Sequence, residues 1–115
     1  NSLLDEKAEL IALLTETASA QNENLKNQEY EKTLFHDERK MSLLQKLAEN
    51  EALLKKAFLK NPAADKTTQI KAEKINLSFE KLINLERQNN VLANDAVALL
   101  SGERISAYLK GKNTK

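Results

Sequence analysis

Apolar residues recur along this chain at the three- and four-residue steps of a helix that lays one side against a core. Leu3, Leu10, Ile11, Leu14, Ala18 and Leu25 make the first such series, and Ser2 followed by Asp5 is a capping pattern that opens it. The stretch 21–28, QNENLKNQ, is rich in amides, and Asn tolerates a left-handed helix end. No Gly or Pro enforces a stop there, so the pattern is compatible with a reversal or with a kink. A second helix is expected over about 29–59. Leu34, Met41, Leu44 and Ala48 supply its apolar side, widened by Leu43, Leu47, Leu54 and Phe58 to roughly half the circumference. Such a helix is expected to be the central one, touching two neighbours, or to offer a groove to a partner's helix.

Residues 60–65, KNPAAD, are the clearest boundary. Pro62 suits a first helical position, with Asn61 or Asp65 as the cap. So short a connection favours antiparallel neighbours. A third helix then runs to Leu100 or Leu109, with Ser101-Gly102 as an expected break and residues 111–115 as a flexible tail. The expected architecture is all-α: an elongated antiparallel bundle of about three long helices with coiled-coil-like packing, in a single domain over 1–110.

The third helix has two stripes. Its main seam reads Ile75, Phe79, Leu82, Leu85, Leu92, Ala96, Leu99 and Leu100, and Asn89 occupies a position where that seam calls for Leu. A lone amide on a hydrophobic seam fixes register and partner choice at some cost in stability. Asn89 is therefore expected to bond a neighbouring helix, and its exchange for Leu to raise the melting temperature while permitting other pairings. On the opposite side lie Leu77, Val91, Ala98 and Ile105, with Asn84 at the intervening step and Tyr108 and Leu109 prolonging the line. This second stripe either packs on the first helix or is a contact face for another chain.

Composition sharpens the picture. Of 115 residues, 30% are charged and 4% aromatic, with 2 Gly, 1 Pro and no Trp, which fits a narrow bundle cored by Leu and Ile. The missing Trp also argues against a spectrin-like repeat. Net charge is +1, and residues 1–60 carry 9 basic and 11 acidic side chains while 61–115 carry 9 and 6. No basic face with aromatics arises, so nucleic acid is not an expected partner. The absence of Cys removes disulfides and thiolate chemistry and fits a reducing cytoplasm. No apolar run approaches the roughly 20 residues of a membrane span. The single His36 has no second His, and neither Gly sits in a phosphate cradle, so neither a metal, a cofactor nor a catalytic residue is expected.

Some segments resemble a known family. Residues 25–30, LKNQEY, followed by 38–44, ERKMSLL, and later 85–92, LERQNNVL, are similar to FlgN-type flagellar export chaperones. In that family a short polar break, commonly Gly-Asp-like, precedes a helix with a Lys and paired leucines, as Lys40 and Leu43-Leu44 stand here. Asn27-Gln28 takes the place of the Gly-Asp. Asn89 and Leu92 match the later Leu-Asn-x-x-Asn-x-x-Leu pattern, whereas Glu86 departs from its first Asn. The resemblance covers about residues 3–110. It implies a bacterial cytoplasmic protein that visits the flagellar export apparatus. It also implies binding of hook–filament junction proteins by their amphipathic helices, and delivery of these clients to the type III export gate. Under that reading Leu77, Val91, Ala98, Ile105, Tyr108 and Leu109 form the candidate client-binding surface. The alternative is a structural or adaptor bundle that self-associates as a homodimer; oligomeric state, monomer or homodimer, stays open at this point.

Overall fold

The computed structural model describes residues 2–63 and 65–113, with side chains described as far as Val97. Three helices account for nearly all of it: α1 (Ser2–Lys26), α2 (Tyr30–Lys60) and α3 (Lys66–Asn113). Helix α1 buries Leu4, Ile11, Leu14, Ala18, Gln21 and Leu25, steps of seven, three, four, three and four that keep one side against its neighbours. Leu10, Thr17 and Asn22 widen that buried side. This breadth lets α1 pack along both α2 and α3. The central helix is thus α1 and not α2, contrary to the expectation from the wide apolar surface of α2.

Helix α2 buries only Leu43, Leu47, Asn50 and Leu54. Helix α3 contributes Ile75, Leu82, Asn89 and Ala96, one residue every seven, with Phe79 and Leu85 half-buried beside them. Burying each Leu or Ile contributes about 1.5–3 kcal/mol, which must offset the entropy of ordering three helices.

Two pairs of contacts fix the directions. Asp5 meets Lys71 and Asn22 meets Asn89, so α1 and α3 run parallel. Lys7 meets Glu51 and Gln21 meets Asp37, so α2 runs antiparallel to α1. The molecule measures 76 × 20 × 18 Å. Helix α3, at about 1.5 Å per residue, spans almost that whole length, and α1 ends near the level of Ala93 on α3.

The amide-rich stretch is a reversal. The N–H of Glu29 donates to the Asn24 carbonyl at 2.7 Å and that of Gln28 to the Leu25 carbonyl at 3.2 Å. Gln28 has φ of +59°, the left-handed residue of a Schellman ending, in a place that usually takes Gly. At the next corner Asp65 caps α3: its carboxylate accepts the Thr68 N–H at 2.7 Å. Helix α3 then continues through Ser101-Gly102 to Asn113 without the expected interruption, and takes in residues 111–113 of the segment read as tail. One Gly costs a helix about 1 kcal/mol, which neighbouring helix formers offset.

Candidate helix-binding faces

The core changes character along its length. Towards the start of α1 it is apolar apart from Asn50; towards the end it becomes a polar network that joins all three helices. Asn22 Nδ2 donates to Asn89 Oδ1 at 3.0 Å, and Asn89 Nδ2 donates to the Ala18 carbonyl at 2.9 Å and to Glu86 Oε1 at 3.3 Å. Lys40 Nζ on α2 reaches Glu86 Oε2 at 2.9 Å and also bonds Gln21 Oε1. Gln21 Nε2 closes the chain on Asp37 Oδ1 at 2.7 Å. Asn22 and Asn89 are both buried, Asn89 at 3% exposure, so the bonds these two amides make replace ones that water no longer supplies. The expected seam position of Asn89 is where the structure puts it, and Asn22 is the partner that no local pattern in the sequence identifies.

At the other end Asn50 is buried, its Nδ2 bonded to the Leu3 carbonyl at 2.9 Å and its Oδ1 without a partner among the described residues. Nearby, the hydrogen bond from Lys71 holds the Asp5 carboxyl below its usual range, and Asp5 raises the Lys71 ammonium in return. Both groups are solvated and tie the ends of α1 and α3 only loosely.

Leu77 and Val91, the two described members of the second stripe, are each 59% exposed. Neither packs into the core. Ile70, not part of the stripe expected from sequence, stands seven residues before Leu77, is also exposed and extends the line by one helical repeat. Asn84 is exposed between them. The side chains of Ala98, Ile105, Tyr108 and Leu109 lie outside the described residues. Beside Val91 is a shallow hollow of about 390 Å³ lined by Lys26, Arg87, Gln88, Val91 and Leu92. An apolar floor with two cations at its rim suits an apolar side chain that has a carboxylate nearby.

A larger apolar area lies on α2. Leu34, Met41 and Leu59 are more than half exposed on the side of α2 away from Leu43, Leu47 and Leu54, and Leu44 is half exposed at its edge. The two groups that appeared in sequence as one broad side are two opposed sides, one facing α1 and one facing solvent. Leu53 and Phe35 are exposed at its flank.

Among the described residues no group of three or more His, Asp and Glu side chains is placed to hold a metal ion, and no helix is long and apolar enough to cross a membrane. The fold is an all-α bundle of three helices that leaves apolar side chains exposed on α2 and α3. No family model matches the chain, and neither a curated protein nor a solved structure matches it.

Proposed function

We propose that this chain is a non-catalytic helix-binding chaperone of the FlgN type. It holds the amphipathic helices of hook–filament junction proteins in the bacterial cytoplasm and hands them to the flagellar export gate, with no nucleotide or metal. The observation that carries the reading is the exposure of Leu77 and Val91: this apolar line is surplus to the monomer's core. The resemblance of residues 25–30, 38–44 and 85–92 supplies the identity of the client.

A client helix laid along this line buries its own leucines against Ile70, Leu77 and Val91, the helix-in-groove mode. The hollow beside Val91 takes one apolar side chain, and Lys26 and Arg87 attract acidic residues flanking it. At about 25 cal/mol per Å², several hundred Å² of covered apolar surface contributes several kcal/mol, and the entropy of association removes much of it. Binding of this strength is specific and releasable, as delivery requires.

The test is calorimetric titration of the chain with a synthetic peptide spanning the terminal amphipathic helix of a hook–filament junction protein. The proposal expects a one-to-one complex and a gain of peptide helicity on binding. A peptide that stays disordered and unbound at millimolar concentration contradicts it.

A further inference from the structure

The exposed side of α2 carries a series of eight positions with Leu at both ends and opposite charges at mirrored places. From Leu34 to Leu59, positions recur at alternating steps of four and three residues, the 3.5-residue repeat of a coiled-coil seam, and every one of them is exposed. When the helix is reversed about the midpoint between Lys46 and Leu47, each position falls on another member of the same series. Leu34 then lies opposite Leu59, and Met41 opposite Ala52. Gln45 lies opposite Ala48, and Glu38 opposite Lys55.

We infer that α2 is a self-association face, on which a second copy of this chain docks its own α2 antiparallel about a two-fold axis at that midpoint. Three of the four kinds of layer are then complementary. Leu34 packs on the partner's Leu59 at each end. The large Met41 meets the partner's small Ala52, so the backbones approach without a void. Glu38 meets the partner's Lys55, and symmetry makes this ion pair twice. Glu38 and Lys55 make no ion pair within the chain among the described residues, so both charges are free for it. A parallel dimer brings Glu38 against Glu38 and Lys55 against Lys55, so the charges select the antiparallel arrangement. A net charge of +1 leaves little long-range repulsion between copies.

The contact is modest. A seam of 25 rises is about 37 Å long and one helix, about 10 Å, wide, which covers on the order of 700–800 Å² over both partners. That lies below the roughly 1,200 Å² of a stable specific interface, so the dimer is weak and transient. The docked face is separate from the Leu77–Val91 line on α3, so dimer formation and client binding are independent measurements.

Sedimentation equilibrium on the full chain, from low micromolar to about 0.5 mM, reads the association. The expected result is a reversible monomer–dimer equilibrium. Glu38→Lys and Lys55→Glu each put like charges in two layers and weaken the dimer by on the order of tenfold. The double variant E38K/K55E restores it. Orientation is read by cross-linking, for which the chain has no cysteine of its own. In an oxidised mixture of Leu34→Cys and Leu59→Cys chains, the mixed disulfide is expected to dominate. A monomer at every concentration, single charge reversals without effect, a double variant no tighter than the singles, or a dominant 34–34 disulfide overturns the inference. Helicity measured on each variant separates weakened docking from unfolding.

Discussion

Replacing Asn89 by Leu looks favourable from its seam position alone, because an amide gives way to a hydrocarbon of similar size. The hydrogen bonds of Asn89 lead to a different expectation for the single change. Asn89 Oδ1 is the acceptor for Asn22 Nδ2, and both residues are buried. A Leu at 89 gains about 1.5–3 kcal/mol of burial and leaves Asn22 with a buried donor unpaired, at about 1–3 kcal/mol. Glu86 loses a donor as well. The two effects nearly cancel, and Asn89→Leu is expected to be neutral or to lower stability by about 1 kcal/mol. Asn22→Leu behaves alike, since it orphans the other amide. The double variant N22L/N89L strands neither amide and is expected to exceed the sum of the singles by roughly 1–3 kcal/mol. Urea unfolding of the four proteins closes this cycle. An Asn89→Leu chain as stable as the double variant, with coupling below about 0.5 kcal/mol, would mean that the two amides do not act as a pair. The stabilised double variant is also the one expected to lose fixed alignment, seen as broadened amide spectra.

Three further outcomes follow from the corners and the far end of the core. Gln28→Gly relieves a left-handed backbone at a residue with a Cβ and is expected to raise stability by about 0.5–1 kcal/mol in chemical denaturation; a loss would mean that the Gln28 side chain holds the turn. Asn50→Leu removes a buried carbonyl oxygen that has no partner together with the Nδ2 bond to the Leu3 carbonyl, and is expected to stabilise by about 1 kcal/mol on balance; destabilisation of that size would show that the Leu3 bond outweighs the orphaned oxygen. Hydrogen bonding from the Thr68 side chain and N–H holds Asp65 below the usual aspartate value of 3.8. Its cap therefore contributes above that value and is lost as pH falls through the folded-state value. Asp65→Asn retains a capping oxygen and is expected to flatten that acid limb of the urea midpoint, and an unchanged limb would count against the cap.

The seams were legible because buried helix positions repeat. The α1 series and the steps of seven from Ile75 to Ala96 need only the helical period, and they placed Asn89 correctly against a core. Three features were not legible, each for a physical reason. The α1–α2 reversal rests on Gln28 in a left-handed conformation, and a residue with a Cβ carries no such signal. The division of α2 into a core side and a solvent side depends on which neighbour arrives, since Leu34 and Leu54 are equally apolar and only α1 distinguishes them. The partners of Asn89 on α1 lie 67 and 71 residues away, beyond any local pattern. Gly102 misled in the other direction: a single weak helix former does not end a long helix when no capping geometry accompanies it.

The central claim is that the chain carries more apolar helical surface than its own fold requires. The most direct measurement substitutes Leu77→Asp and Val91→Asp together, then records the stability to urea and the affinity for the client helix side by side. The account predicts a stability within about 0.5 kcal/mol of the unaltered chain, as for exposed positions, and a loss of affinity of at least about tenfold, or 1.4 kcal/mol. Affinity that is unchanged, or a fall in stability of the size seen on truncating a core leucine, would contradict it.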